Sequence, residues 1–308
     1  MFKHNEPLVH TFSIIARDSA TGDMAVGVQS HWFSVGTLVP WGEAGVGVVA
    51  TQASVNKAYG IKALALLKQG FTAQQALDSL LKDDSSRDVR QVAVLDNKGN
   101  VAAHTGKSCI QYAMHIMGDG FSVQSNMMLT NTVCSGMAKA YKASAGKPIA
   151  ERVLAALDAA QQAGGDIRGM QAAALIVVPG KPNGEPWNDK SIDVRVDDNP
   201  QPLKELRRLY NLFIAYRHMN NGDLATEKND AVGAMNEYHA AMKMFPENEE
   251  MQYWTAIGLC NNGKVTEALP MLKKIFTANK NYKELTKRLQ PIGGITVSDS
   301  DYKKIMAL

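Results

Sequence analysis

The chain has 308 residues, of which 45% are hydrophobic and 20% charged, and 33 Lys plus Arg against 30 Asp plus Glu leave a net charge of +3. That balance excludes a collagen-like, mucin-like or mainly disordered chain, and it supplies no strong field towards nucleic acid or an anionic membrane. The length favours two domains. The cysteines Cys109, Cys134 and Cys260 are odd in number and match no zinc spacing, so reduced thiols in a cytoplasm are expected. No apolar run approaches the roughly 20 residues that span a bilayer. The opening MFKHNEPLVH lacks an apolar h-region and a small-x-small site, so a standard signal peptide is not expected.

Residues 11–29 alternate as paired strands. Phe12, Ile14 and Ala16 share one parity, and Met24, Val26 and Val28 do so after a turn over Asp18–Asp23. A third strand is expected at Gly45–Ala50, with glycines that leave one face bare for a close backbone or ligand. Helices follow at Ala58–Gln69 and, capped by Thr72, through Leu81. Strands return at Arg90–Asp96 and Val101–Thr105, joined by a hairpin loop at 97–100, and another is read at Phe121–Met128. Helices are expected at Thr132–Ala143 and Ile149–Gln162, then strands at Gln171–Val178 and Ile192–Val196. Strands and helices in segregated runs give an α+β layered domain.

Composition shifts after Asp197-Asp198-Asn199-Pro200-Gln201-Pro202, and helical periodicity takes over. The expected division is a leader at 1–10, a first domain at 11–200 and a helical domain at 201–308. Ala234, Tyr238, Ala241 and Pro246 recur 34 residues later as Ala268, Leu272, Ile275 and Lys280. The period resembles the tetratricopeptide repeat, with Gly263 as its inter-helix glycine and Gly222-Asp223-Leu224 as the same turn in a preceding unit. An ordinary helical bundle is the alternative. So short a stack needs cover for its apolar face, from another domain or chain.

The first domain carries distinctive runs: His10-Thr11-Phe12-Ser13-Ile14-Ile15-Ala16-Arg17-Asp18, Val28-Gln29-Ser30-His31-Trp32-Phe33-Ser34-Val35-Gly36, Ala50-Thr51-Gln52-Ala53, Gly164-Gly165-Asp166-Ile167-Arg168-Gly169-Met170-Gln171 and Asp193-Val194-Arg195-Val196-Asp197-Asp198. Together they closely resemble the domain-of-unknown-function family 1028, over about Thr11 to Pro202. That family is classed with N-terminal-nucleophile (Ntn) hydrolase-like folds, so the resemblance implies a four-layer α-β-β-α sandwich. It supplies no substrate.

By that resemblance Thr11 stands where an Ntn nucleophile begins its strand. Such a residue attacks an amide carbonyl, with its own α-amine, pKa near ~8 when unperturbed, as the base. Ten residues precede Thr11 here, so its nitrogen is an amide until the His10–Thr11 bond is cut. Thr11 itself would attack the His10 carbonyl, as Ntn precursors do. The alternative is a plain β-branched strand residue. The antiparallel hairpin brings Ser30 and His31 back beside Thr11, where proteasome-like relatives place tuning groups; a half-buried structural histidine is the other reading. Thr51 and Gln52 are expected to offer backbone N–H groups as an oxyanion hole. Asn56 and Tyr59 would contact substrate, or Asn56 would cap a helix.

Gly118-Asp119-Gly120, with Gln124 and Asn126 beyond, resembles the Ser-Gly-Ser element of proteasome-like chains, with Asp119 in place of the serine. Asp119 and Asn126 are candidate substrate contacts on that ground. Asp166 resembles the aspartate that orients the nucleophile's amine, while Arg168 would grip a substrate carboxylate. An exposed ion pair is the alternative. Gln171 completes the candidate substrate-binding set. Asp193, Arg195, Asp197 and Asp198 read as a salt-bridge ladder rather than a metal cluster, and neither metal nor cofactor is expected. The leading expectation is an Ntn amidohydrolase for a small amide or peptide-like ligand, assembled as a homo-oligomer, with a tail that binds a protein. The alternative is a non-catalytic ligand-binding or scaffold protein. Neither nucleic acid nor membrane is an expected partner.

Overall fold

The computed structural model describes residues 8–308, so most of the expected leader lies outside the described residues. The chain is mixed α/β with two antiparallel sheets, and it divides into two compact units, one ending at Leu209 and the other spanning Tyr210–Leu308. The division falls inside a helix rather than at the Pro-rich stretch 197–202. Among the described residues no helix is long and apolar enough to cross a membrane.

In the first unit, β1 (Leu8–Val9), β4 (Pro40–Glu43), β5 (Gly47–Ser54), β6 (Arg90–Asp96) and β7 (Val101–Thr105) form one sheet. The other runs β11-β10-β3-β2-β9-β8, from β2 (Thr11–Arg17), β3 (Met24–Ser30), β8 (Met114–Gly118), β9 (Phe121–Ser125), β10 (Ala172–Val178) and β11 (Ile192–Val196). Alternation decides what each face meets. Ile15, Val26, Val28 and Ile176 of one sheet share a core with Val48, Ala50, Ala93 and Leu95 of the other. The opposite parity, Val49, Val92 and Val94, packs on α1 (Ala58–Lys68) and α2 (Ala73–Lys82) through Tyr59, Ala63, Leu67 and Leu77. On the second sheet, α3 (Val133–Ala143) packs on β8 and β9, and α4 (Ile149–Gln162) on β2 and β3. Gly27 makes the last contact possible, because a Cβ there would stand 2.3 Å from Val153 Cγ1.

Three expectations shift. The third strand begins at Gly47 and runs to Ser54, which puts Thr51 and Gln52 inside the strand, paired with Val92 and Gln91. The strand read at 121–128 ends at Ser125, and Met127 takes a positive φ of 59° as the chain turns away. Strands β1, β4 and β8 were not foreseen. Pro40 and Gly42 hide β4, an edge strand where a missing N–H is tolerated, and β8 is a half-buried edge strand with no clean polar alternation.

The division lies within α5 (Pro202–Glu227). Its first turns belong to the first unit: Leu206 is fully buried, and Arg207 bonds Glu151 at 3.0 Å and Asp158 at 2.8 Å. In the second unit, α6 (Ala231–Met244) and α8 (Val265–Ala278) have equal length and start 34 residues apart, with α7 (Glu249–Asn261) between them. Then come α9 (Asn281–Leu289) and α10 (Asp299–Met306). Gly263, at φ 74°, ends the α7 segment as a C-terminal glycine does. The expected turn at Gly222-Asp223-Leu224 is corrected: α5 runs straight through it. Gly222 is there because the Tyr238 ring lies against it, 2.4 Å from where a Cβ would stand. The turn comes at Asn229, with φ 59°, and Asp230 caps α6 through the Gly233 N–H.

Candidate active site

Four strand ends of the second sheet converge on Thr11. Its backbone pairs with Ser30, the last residue of β3; Ser30 also pairs with Ala172 at the start of β10; and the Asn126 N–H, just past β9, donates to the Thr11 carbonyl at 3.1 Å. Thr11, Ser13, Ser30 and Asn126 are fully buried. The sheet places these side chains between the two sheets, at the end where the apolar core gives way to polar groups.

The His10 carbonyl, one half of the bond that precedes Thr11, is held by two donors. Ser30 Oγ donates to it at 2.6 Å and Arg168 Nη2 at 2.8 Å. Arg168 is aimed by Asp166, whose Oδ2 accepts Nη2 at 2.7 Å and whose Oδ1 accepts Nε at 3.0 Å and the Arg168 backbone N–H at 2.9 Å. Asp166 is 2% exposed, so the pair is buried on the carboxylate side, and charge-assisted bonds fix the guanidinium. The His31 backbone N–H also donates to Asp166 Oδ2, at 3.1 Å. Thr11 Oγ1 donates to the Val9 carbonyl at 3.0 Å.

Behind Thr11 lies a network of amides. Gln52 Nε2 donates to the Thr11 carbonyl at 3.2 Å and to Gln91 Oε1 at 2.6 Å. Gln91 Oε1 also accepts Asn126 Nδ2 at 2.9 Å, and Gln91 Nε2 donates to Thr105 Oγ1 at 2.8 Å. Ser13 Oγ lies 2.7 Å from Gln52 Oε1 and 2.8 Å from Gln124 Oε1. Asn126 Oδ1 meets His10 Nδ1 at 2.7 Å. The single Ser13 hydroxyl proton serves one of its two glutamine oxygens at a time, and the remaining bonds hold the members in one arrangement. His10 is pushed towards its neutral form, chiefly by burial, against a raising bond from Asn126, with Arg168 adding repulsion. A neutral ring that donates from Nδ1 keeps a lone pair at Nε2.

The structure therefore brings together Thr11, Ser30, Asp166, Arg168, Asn126 and the Gln52 side chain. Other candidates it places elsewhere. His31 is exposed and meets the cluster through its backbone. The Thr51 N–H is committed to the Val39 carbonyl at 3.1 Å, and the donors on the His10 carbonyl are Ser30 Oγ and Arg168 Nη2. Asn56 Oδ1 accepts the Ala58 N–H at 3.0 Å in a turn that opens α1. Tyr59 is 3% exposed beneath α2, its hydroxyl on Asp84 Oδ2 at 3.0 Å, on the helix side of its sheet. Asp119 sits at the exposed tip of the β8–β9 hairpin, beside Arg17 at the far end of β2. Six residues of strand separate it from Thr11, about 20 Å, so it is not in this cluster. Gln171 Nε2 bonds Asp198 Oδ1 at 3.1 Å and clasps the exit from β11. Asp193 binds Arg195 and Lys190, and Asp197 accepts Ser34 Oγ.

Sequence reading gave no role to the side chains of His10, Ser13, Gln91 and Gln124. The signal available was the parity of β2: Thr11 and Ser13 share the face of the buried Ile15, and two polar residues on a core face require buried partners. The partners are glutamines in other strands, where alternation cannot tell a polar core from solvent.

The family of unknown function DUF1028 matches residues 11–206, well over half of the chain. The chain belongs to this family. Protein SPO2555 from Silicibacter pomeroyi, a crystal structure labelled with the same family, is 30% identical, with a TM-score of 0.58, over 65% of this chain and 88% of that one. The Anbu (ancestral beta-subunit) protein from Yersinia bercovieri is similar at 10% identity and a TM-score of 0.34, over 65% of this chain and 93% of that one. Among curated proteins there is no match. The DUF1028 match begins at Thr11, the residue on which the buried cluster converges, and ends at Leu206, before the second unit begins at Tyr210.

Proposed function

We propose that the DUF1028 unit is an N-terminal-nucleophile amidohydrolase with a four-layer α-β-β-α arrangement, acting on a small amide or peptide-like compound. The observation that carries this reading is the double grip of Ser30 and Arg168 on the carbonyl that Thr11 must attack to free itself. Thr11 Oγ closes a five-membered ring on the His10 carbonyl carbon. The carbonyl oxygen becomes an oxyanion within reach of a hydroxyl and a guanidinium. The C–N bond breaks, the hydroxyl proton goes to the departing nitrogen, and an ester links His10 to Thr11 Oγ. Water hydrolyses that ester, which returns the Thr11 hydroxyl, leaves a carboxylate on His10 and frees an α-amine. That amine is the base for later turnovers, with substrate carbonyls bound by the same two donors. Asp166 acts in this scheme by holding Arg168.

A second reading, a non-catalytic ligand-binding or scaffold protein, draws support from Val9 and His10, which are packed into the interior as parts of a closed structure. In either case the tail, in which α6 and α8 start 34 residues apart, is proposed as a tetratricopeptide-like surface for a protein segment. Purified native protein separates the two: a free Thr11 N-terminus, lost in Thr11→Ala, supports the hydrolase, and an intact His10–Thr11 bond supports the binding protein.

A further inference from the structure

Leu8 and Val9, just before Thr11, occupy a place that β5 leaves open. Along one edge of β5, β4 covers Gly47 to Ala50. Beyond it the same strand pairs with β1, Val9 opposite Ala53 and Leu8 opposite Ser54, while β6 pairs with β5 from the other side through Arg90. Among the described residues, Leu8 and Val9 therefore complete an edge that no other strand fills. Ala53 takes a positive φ of 69° there, rare for a residue with a Cβ. Val9 and His10 each have a receptacle. Val9 is fully buried in the inter-sheet core, the His10 ring is 5% exposed with Nδ1 on Asn126, and the His10 carbonyl lies on Ser30 and Arg168.

We infer that this groove is the substrate cleft of the processed protein, and that its ligand is an extended peptide-like acyl chain that adds as a strand to β5. The inference rests on the hydrolase reading and names its substrate class. Strand addition supplies backbone hydrogen bonds, and alternate side-chain receptacles supply selectivity. The residue bearing the scissile carbonyl carries a hydrogen-bond-donating side chain of about imidazole size for Asn126. The residue before it is β-branched and apolar. Its carbonyl is reached by Thr11, and the carboxylate product is gripped by Arg168 and Ser30, so the released acyl peptide inhibits.

The test uses full-length protein whose N-terminus has been shown to be Thr11, after dialysis. The probes are acetyl-Leu-Val-His-p-nitroanilide, the reversed acetyl-His-Val-Leu-p-nitroanilide, and acetyl-Leu-Val-His as carboxylate and as amide. The forward substrate is expected to show a kcat/KM at least about tenfold above the reversed one, and the carboxylate to bind at least about tenfold tighter than the amide. Arg168→Lys should narrow the carboxylate preference, because it loses the fork geometry. Uncleaved Thr11→Ala, its groove filled by its own leader, should bind neither peptide. Equal rates for both sequences, or equal binding of acid and amide, in a chain that does start at Thr11 overturn the inference and leave the hydrolase reading standing. A chain that never exposes Thr11 overturns both.

Discussion

Ser30→Ala separates the chemistry of the His10–Thr11 bond from the stability of the fold. Ser30 is fully buried, and its Oγ donates to the His10 carbonyl at 2.6 Å. Removing one oxygen opens little space, and the carbonyl keeps Arg168 at 2.8 Å, so no buried acceptor is orphaned. The folding cost is then that of one hydrogen bond, about 0.5–1.5 kcal/mol. The barrier to cleavage rises more, because the lost donor serves the developing oxyanion: about 2.7–4 kcal/mol, or roughly 10²–10³ in rate. Arg168→Met is a poorer probe. It would also strip the buried Asp166 carboxylate of its cation, and breaking such a pair costs about 3–5 kcal/mol on its own. The assay is a time course of intact mass on freshly synthesised protein, beside thermal melts of the same samples. Cleavage by Ser30→Ala within about threefold of the parent rate would refute the assignment of Ser30 as an oxyanion donor.

Three further outcomes follow from the same structure. Gly27→Ala forces a Cβ to 2.3 Å from Val153 Cγ1, an overpacking worth about 1–3 kcal/mol, read as a melting temperature lower by roughly 2–12 °C; an unchanged melt would mean that α4 is not seated on β3 as described. His10 and His115 both have pKa values lowered from 6.5, chiefly by burial. The unfolded chain thus binds more protons than the folded one between the depressed values and 6.5, so denaturant stability is full above about pH 6.5 and falls on acidification through that window. Uncleaved Thr11→Ala in which His10 is replaced by Gln should lose part of that acid dependence; an identical pH profile would refute the contribution of His10. Burial pushes the Cys134 thiol up to about 12 and those of Cys109 and Cys260 up to about 11. At pH 8 about one thiol in a thousand or fewer is thiolate, so native protein should resist iodoacetamide until it is unfolded; rapid native alkylation would place a cysteine in a reactive setting the structure lacks.

Most core elements were legible because their signals are local. Phe12, Ile14 and Ala16 against Met24, Val26 and Val28 declared a hairpin, and Thr72 declared a helix start that the structure completes as a capping box with Gln75. What stayed hidden depends on contacts distant in sequence. Gly222 reads as a turn until Tyr238 lies against it inside α5. Trp41 belongs to an edge strand whose Pro40 and Gly42 mask it, and its ring leaves no room for a side chain on Gly60 of α1. At the site, Thr11, Ser30 and Asp166 were nameable from the runs around them, and the structure sets them within one cluster. The amide network of Gln52, Gln91 and Gln124 joins strands of different sheets, and no spacing along the chain encodes which strands face each other. Arg168 could be named, but its hold on the His10 carbonyl spans most of the first unit.

The central claim is that Thr11 is released by cleavage of the bond before it. The most direct test is the N-terminal sequence and intact mass of native protein, beside Thr11→Ala made in the same way. The account predicts a chain that starts at Thr11 in the parent and an uncut His10–Thr11 bond in the variant. An uncut bond in the parent, or cleavage at the same bond in Thr11→Ala, would contradict it.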